Sequence, residues 1–262
     1  MLLGATWNPE LVEQVGAAVA REASAYGVDV LLGTPNTNIQ RDPRNGRLFE
    51  SFSEDPYLSS RMAPAMVRGV QAQGVAADVK HFAANNQETL RQGIDEQISE
   101  RALREIYLPG FEAAVKEGGA ATVMSAYNSI NGVPCAQNRW LLTDVLKREW
   151  GFDGQVVSDW GAVYDQAEAL RAGNDMDMPG PRGKQQLYEA AEHGEISMER
   201  IDDAAARMLR TILKTPKYTG KRFAHIDDAF SQRAAYCAAA EGITLLKNDG
   251  VLPLAGQTQL AV

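Results

Sequence analysis

Short apolar runs alternate with amphipathic segments along most of the chain. The runs predict strands over residues 28–33, 75–80, 120–126, 155–158 and 175–178. Apolar positions at 3.6-residue spacing predict helices over residues 9–25, 57–73, 99–117, 138–149, 163–172, 184–193 and 197–214. Three glycines directly before strands are expected to end helices: Gly27, Gly74 and Gly119. Ser99 is expected to cap the start of the helix over 99–117. This alternation predicts a parallel α/β architecture.

The length favours a barrel over an open sheet. A chain of 262 residues suffices for one large domain, or for one domain and part of another. A (β/α)8 barrel needs eight strands, and the pattern gives five. We therefore predict a TIM-like barrel lacking its first strands over residues 1–215 and a linker over 216–227. The truncated start of a second α/β sandwich domain is predicted over 228–262, with a helix over 228–247 and a strand beginning at QLAV.

The composition of the chain argues against several classes of binding partner. The net charge of -8 and the isoelectric point near 5.0 argue against binding to nucleic acid or to an anionic membrane surface. No apolar run approaches the roughly 18 residues of a membrane span. Cys135 and Cys237 are far apart and in no metal-like spacing, so neither a disulfide framework nor a metal site is expected.

Side chains suited to chemistry cluster around the predicted strand ends. In a parallel barrel the active site lies at the C-terminal ends of the strands, where the loops that follow them meet. Five side chains are therefore expected to converge on one mouth: Lys80, His81, Tyr127, Asp159 and Trp160. The long polar loop after residues 28–33 adds Arg41, Arg44, Arg47 and Glu50.

Each of these residues also has a purely structural interpretation. Asp159 could cap a helix that starts near Ala162, and Arg47 could pair with Glu50 one turn later. Lys80 and His81 could form a salt-bridged surface pair. Rim or core packing would account for Tyr127, Trp160 and Met124, while His193 and His225 are assigned no role. These structural interpretations weaken when all the residues share one barrel end, because independent coincidences would have to agree.

Five longer motifs carry a family resemblance. RDPRNGRLFESFSEDP, KHFAANNQE, VMSAYNSINGVP, LLTDVLKREWGFDGQVVSDWGAV and AGNDMDMPG together resemble the family 3 glycoside hydrolases, specifically the bacterial β-glucosidases. The resemblance implies a retaining exo-glucosidase that acts on small-molecule or oligosaccharide β-glucosides and needs no metal or cofactor. It implies that Asp159 is the nucleophile. The subsite for the terminal sugar would be lined by Arg47, Lys80, His81 and Tyr127, with Met124 and Trp160 beside them.

Details of the motifs narrow the implied substrate. Relatives that act on β-xylosides usually carry SDC where this chain has Ser158-Asp159-Trp160, so the resemblance favours glucose. The N-acetylglucosaminidase branch supplies its acid/base from an Asp-x-His loop, and no such triplet follows Lys80-His81. Asn45 replaces a bulky aromatic common in relatives, which leaves the packing of its loop open.

The resemblance also implies that the chain is part of a larger enzyme. The family's acid/base glutamate lies on the second domain, and a sugar-binding aspartate lies early in the barrel. Neither motif is found here, so we expect this chain to be inactive or very weak alone. The full-length parent could be a homodimer, located in the bacterial cytoplasm or periplasm.

Three other functions stay open at this point. A non-catalytic carbohydrate-binding remnant would keep the same polar residues without turnover. A β-xylosidase or another exo-glycosidase of the same family would differ only in substrate. A Schiff-base aldolase would use Lys80 as its nucleophile.

For the glycosidase, we expect the Tyr127 hydroxyl to hydrogen-bond the Asp159 carboxylate.

Overall fold

A four-stranded parallel sheet forms the centre of the fold. The computed structural model describes residues 2–33, 35–180, 183–254 and 256. The sheet has the order β1-β2-β4-β7, with β1 (Val30–Leu31), β2 (Ala76–Phe82), β4 (Thr122–Ser125) and β7 (Gln155–Ser158). A smaller sheet has the order β3-β5-β6, with β3 (Asp95–Glu96), β5 (Ser129–Ile130) and β6 (Val133–Pro134).

Helices follow the strands in alternation. The α-helices are α1 (Leu2–Ala5), α2 (Pro9–Ala25), α3 (Pro56–Gln71), α4 (Glu100–Ala102), α5 (Pro109–Lys116), α6 (Gln166–Ala172), α7 (Lys184–Glu192), α8 (Met198–Lys214), α9 (Pro216–Thr219) and α10 (Asp228–Gly242). Two π-helical segments, Leu103–Tyr107 and Trp140–Glu149, and two 3-10 turns, Leu48–Glu50 and Cys135–Gln137, complete the regular structure. Alternation of parallel strands and helices confirms the predicted α/β architecture.

The core lies between the sheet and the helices packed on it. Helix α3 contacts both α2 and α5, and β2 contributes the fully buried Phe82. The Phe82 ring meets Phe111 edge-on at 5.1 Å and Trp150 at 5.7 Å between centroids. These aromatic contacts hold the C-terminal end of β2, where the candidate site begins, against two helical segments.

The predicted helix over 99–117 is not continuous. Ser99 caps its start, as expected, because its hydroxyl accepts from the Ala102 N–H at 3.2 Å. The chain then forms a π-helical segment and restarts as α5 at Pro109. Proline has no backbone N–H to donate to the preceding turn, so it starts a new helix instead of continuing the old one. Gly27, Gly74 and Gly119 all have positive φ, which confirms that they end helices.

The predicted strand over 175–178 is reduced to one bridge, between Val157 and Met176. The Asp175 carboxylate accepts from the Val156 N–H at 2.8 Å, so a side chain takes the place of a ladder carbonyl. By contrast, β2 runs two residues beyond the predicted end at Lys80, so His81 lies within the strand instead of after it.

The described residues form an open parallel sheet, with β1 at one edge and the Met176 bridge at the other. A cavity of about 560 Å³ lies between the two edges, and α8 borders it with Met208 and Ile212. The closed barrel therefore stays a prediction.

The last described segments pack back on the start of the chain. Arg222 donates to the Ser24 carbonyl at 3.1 Å and pairs with Asp29 at 2.8 Å, and α10 contacts α1 and α2. Helix α10 ends at Gly242, five residues before the predicted end. The predicted strand at QLAV lies outside the described residues, and the domain boundaries stay predictions. None of the described helices combines the length and apolar character needed to cross a membrane.

Candidate active site

Three neighbouring strands bring the candidate residues together at their C-terminal ends. The Ala126 N–H donates to the Phe82 carbonyl at 2.8 Å, and the Asp159 N–H donates to the Ser125 carbonyl at 3.0 Å. These two bonds place the ends of β2, β4 and β7 side by side. His81 and Asp159 consequently face each other, with 3.6 Å between Nε2 and Oδ2. The predicted convergence of these strand ends is what the structure shows.

The Asp159 carboxylate is buried, with 8% of the residue exposed. Its Oδ1 accepts from the Trp160 N–H at 2.8 Å. Its Oδ2 has no hydrogen-bond partner among the described residues, although His81 lies at 3.6 Å and Arg91 at 3.8 Å. Asp159 is not a helix cap, because Asp165 caps α6 by accepting from the Glu168 N–H. One carboxylate oxygen is thus fixed by the backbone, and the other is held near positive charge without being engaged.

His81 is buried and held by one asparagine. Asn38 accepts from the His81 backbone N–H at 2.9 Å and donates to the His81 carbonyl at 2.9 Å. Burial lowers the pKa of His81 well below its ordinary value, and three nearby cations lower it further: Arg47, Lys80 and Arg91. The imidazole is therefore neutral at neutral pH, and its approach to Asp159 is not an ion pair.

Arg47 and Lys80 share one carboxylate. The Arg47 guanidinium donates from Nε and Nη2 to the two oxygens of Glu50, each at 2.8 Å. Lys80 Nζ lies 3.3 Å from the same carboxylate, and Lys80 is mostly buried. The pairing of Arg47 with Glu50 predicted as the structural alternative is therefore present, but it lies within the site.

The Tyr127 hydroxyl lies close to the Asp159 carboxylate, and a hydrogen bond between them contributes to raising the pKa of Tyr127. The shortest contact of the hydroxyl is nevertheless with the backbone. The hydroxyl donates to the Trp160 carbonyl at 2.8 Å, because the backbone after β7 brings that oxygen within reach. Burial raises the pKa of Tyr127, and the negative charge of Asp159 raises it further. Tyr127 thus fixes the loop that carries the carboxylate.

Trp160 and Met124 differ in exposure. Trp160 is 40% exposed beside the buried Asp159, so its indole is available as an apolar platform. Met124 is 3% exposed within β4 and packs as a core residue. Its role beside a sugar stays a prediction.

Sequence reasoning missed Arg91. This residue lies in the loop after β2, ten residues beyond His81, and position relative to a strand gave no reason to select it. Its guanidinium lies 4.4 Å from the centre of the Tyr127 ring, 3.2 Å from Glu88 and 3.8 Å from Asp159. The Glu88–Arg91 spacing of three residues, in a loop at the predicted mouth, was the available signal.

The site surrounds the Asp159 carboxylate with hydrogen-bond donors. The described part of the chain has no cluster of three or more metal-ligating side chains. Three cations and three carboxylates alternate here: Arg47, Lys80 and Arg91 with Glu50, Glu88 and Asp159. Of these three carboxylates, only Asp159 has a buried oxygen that lacks a hydrogen-bond partner within the described residues.

Comparison with known proteins agrees with the motifs. Residues 1–211 match the glycosyl hydrolase family 3 N-terminal domain. The chain is 50% identical over 255 residues to the thermostable β-glucosidase B of Acetivibrio thermocellus, covering 96% of this chain and 34% of that protein. It is 48% identical to an exo-α-(1→6)-L-arabinopyranosidase of Bifidobacterium longum, covering 96% of this chain and 33% of that one.

Solved structures give the same result. β-Glucosidase 3B of Thermotoga neapolitana, in complex with glucose, superposes with a TM-score of 0.92 at 48% identity, covering 97% of this chain and 37% of that one. The chain thus spans about a third of the length of these relatives. On this evidence the chain belongs to glycosyl hydrolase family 3, whose N-terminal domain it matches over residues 1–211.

Proposed function

We propose that the protein acts as a retaining exo-β-glucosidase on terminal non-reducing β-D-glucosyl residues. The observation that supports this most directly is the buried Asp159 carboxylate, with Oδ2 unengaged among the described residues and two nitrogen groups within 4 Å. In a retaining mechanism such an oxygen attacks the anomeric carbon and forms a covalent glycosyl-enzyme, which water then hydrolyses. The names of several relatives support the glucoside specificity.

The remaining site residues would hold the terminal sugar. Arg47 and Lys80 are donors that suit sugar hydroxyls, and neutral His81 can exchange a hydrogen bond with one more. The exposed indole of Trp160 offers an apolar face to the pyranose ring. Tyr127 fixes the loop after β7, and Met124 would close the wall behind it.

The proposal needs a second carboxyl group as acid/base, about 5–5.5 Å from the nucleophile. Glu50 and Glu88 are the other carboxylates of the site, and each is paired with an arginine. The pKa of Glu50 is lowered by its hydrogen bonds to Arg47 and by the charge of Lys80, against the opposing effect of burial. It is therefore poorly suited to donate a proton. We propose that the acid/base lies outside this chain, and that this chain alone turns over only activated glucosides.

The fold proposal accompanies this function. We propose that the open sheet is part of a (β/α)8 barrel over residues 1–215, completed by strands that this chain does not supply. The two edges of the sheet that the described residues form, and the cavity of about 560 Å³ between them, support it. The linker over 216–227 and a second domain from 228 belong to the same proposal.

The proposed function is tested with Asp159→Ala and 2,4-dinitrophenyl β-D-glucoside, whose leaving group needs no acid catalyst. We expect turnover by the unaltered chain, loss of turnover in the variant, and recovery when sodium azide is added. The recovered product would be the α-glucosyl azide, because the small anion attacks from the face that Asp159 occupied. Unchanged turnover in Asp159→Ala would refute the assignment.

A second specificity has its own support. The arabinopyranosidase relative is 48% identical, close to the β-glucosidases, and an L-arabinopyranoside lacks the exocyclic hydroxymethyl group of glucose. A comparison of kcat/KM for the 2,4-dinitrophenyl β-D-glucoside, β-D-xyloside and α-L-arabinopyranoside discriminates the candidates. We expect the glucoside to be preferred. The aldolase alternative is disfavoured because Lys80 is paired with Glu50.

A further inference from the structure

Glu50 is the only described carboxylate that contacts two of the cations around the site. Its Oε1 and Oε2 accept the two parallel hydrogen bonds from Arg47, and Oε2 also lies 3.3 Å from Lys80 Nζ. All three side chains are largely covered, with 22% of Glu50, 22% of Arg47 and 12% of Lys80 exposed. A bidentate contact of this kind fixes both the position and the plane of a guanidinium.

The backbone around Glu50 is fastened to β2. Glu50 ends a 3-10 turn, and its N–H donates to the Arg47 carbonyl at 3.2 Å, which sets the three-residue spacing of the pair. Asn36 forms isolated parallel bridges both to Ser51, directly after that turn, and to Lys80. One stretch of backbone therefore holds the turn and the strand at a constant separation, and Glu50 crosses that separation.

The contacts leave defined donors for a ligand. Glu50 engages Nε and Nη2 of Arg47, so Nη1 stays outside this pair. Lys80 Nζ carries three hydrogens, of which the contact with Glu50 uses one. Without the carboxylate, the two cations would repel each other and their long side chains would have other rotamers to occupy.

We propose that Glu50 is a positioning residue of the sugar-binding site, which holds Arg47 and Lys80 in one arrangement and thereby aims their remaining N–H groups at sugar hydroxyls. This inference rests on the proposed function. Glu50 touches neither the sugar nor the reacting atoms, and it acts through the two cations.

The first test reads the arrangement itself and does not depend on activity. Trace acetylation with acetic anhydride, followed by peptide mass spectrometry, compares the reactivity of Lys80 in Glu50→Gln with that in the unaltered chain. Loss of the ion pair is expected to raise Lys80 reactivity roughly five- to tenfold relative to the other lysines. Glu54→Gln is the matched control, because Glu54 is exposed in the same loop, and it should leave Lys80 reactivity unchanged.

The second test reads sugar binding. The kinetics of inactivation by 2,4-dinitrophenyl 2-deoxy-2-fluoro-β-D-glucoside give a dissociation constant and a maximal rate of inactivation. Glu50→Gln should raise the dissociation constant about tenfold, because misplaced donors weaken binding of the sugar. The maximal rate should change less than about threefold. Glu50→Asp keeps the charge on a shorter side chain, and both effects should be smaller. It also decides the question if melting curves show that Glu50→Gln does not fold.

The outcomes separate the two proposals. If Glu50→Gln has the same Lys80 reactivity and the same dissociation constant as Glu54→Gln, the role of Glu50 is overturned. The proposed function is then unaffected. Raised Lys80 reactivity with no inactivation of the unaltered chain would instead contradict the proposed function and support the arrangement of the two cations by Glu50.

Discussion

Two buried carboxylates, one within β2 and one directly after β7, lie in different environments. Asp159 has His81 and Arg91 within 4 Å of its Oδ2. Asp78 is fully buried in β2, and the Thr122 hydroxyl donates to its Oδ1 at 2.6 Å. Its Oδ2 has no partner among the residues that the structure describes. Burial raises the pKa of Asp78 to about 7; the charge of Asp159 adds to this, while Lys80 and the Thr122 hydrogen bond oppose it. The environment of Asp159 fits its proposed role as nucleophile, whereas Asp78 changes its charge near pH 7.

Asp78→Asn should therefore change how stability depends on pH. The pKa of Asp78 is raised on folding, so its contribution to stability is full below about pH 4 and is lost as pH rises through about 7. Asparagine cannot ionise. The unfolding free energy of Asp78→Asn minus that of the unaltered chain should therefore increase with pH. Between pH 5 and pH 8 this difference should rise by roughly 2–4 kcal/mol.

Urea titrations at pH 5, 6, 7 and 8 measure that difference. Asp153→Asn is the matched control, because Asp153 is exposed, and its difference from the unaltered chain should be constant across pH. A difference that is equally flat for Asp78→Asn would show that Asp78 is ionised throughout.

At the scale of elements, Asp175 joins three of them behind the site. Its carboxylate accepts from Lys147 at 2.7 Å, from Arg200 at 2.5 Å and from the Val156 N–H at 2.8 Å. Lys147 belongs to the π-helical segment Trp140–Glu149, Arg200 to α8 and Val156 to β7. The Asp175 side chain has no exposed surface, so these neighbours, and not solvent, balance its charge.

Asp175→Asn should destabilise the fold strongly. The substitution leaves two largely buried cations without their carboxylate, which costs about 3–5 kcal/mol of unfolding free energy. Urea denaturation at pH 7 measures the loss. Asp202→Asn removes an exposed carboxylate from α8 and should change the value by less than about 0.5 kcal/mol. A loss below about 1 kcal/mol for Asp175→Asn would show that these contacts do not join the elements as described.

Elements with local signals were predictable from the sequence, and those set by distant contacts were not. Helix α2 runs from Pro9 to Ala25 as predicted, since proline at its first position and Asn8 as cap are local features. The strand predicted around Asp175 failed because its ladder position is taken by a side chain whose partners lie up to 28 residues away. The same distinction holds in the site. Asp159 was predictable from its position at a strand end, whereas the contacts of Arg91 and the second partner of Glu50 exist only in the fold.

At the scale of the whole molecule, the open sheet leaves an apolar helix face uncovered. Leu209, Ile212 and Leu213 lie on one face of α8, and each is 46–56% exposed. The neighbouring cavity between the sheet edges extends this surface. Patches of this kind and unpaired strand edges promote association.

The isolated chain should therefore self-associate at micromolar concentration. Light scattering after size exclusion should give a mass above 28.5 kDa that rises with concentration. Leu209→Lys with Leu213→Lys should lower that mass, because two charges interrupt the apolar face. Tyr188→Lys, an equally exposed change on α7, should not. A monomeric unaltered chain would contradict the prediction.

The central claim is that Asp159 forms a covalent bond to the sugar. The most direct measurement is peptide mass spectrometry after treatment with 2,4-dinitrophenyl 2-deoxy-2-fluoro-β-D-glucoside, whose good leaving group permits the first step and whose fluorine slows the second. We expect one fluoroglucosyl group per chain, located on the peptide that contains Asp159 and absent from Asp159→Ala. A label on another residue, or no label on a chain shown to be folded by its cooperative melting, would contradict the account.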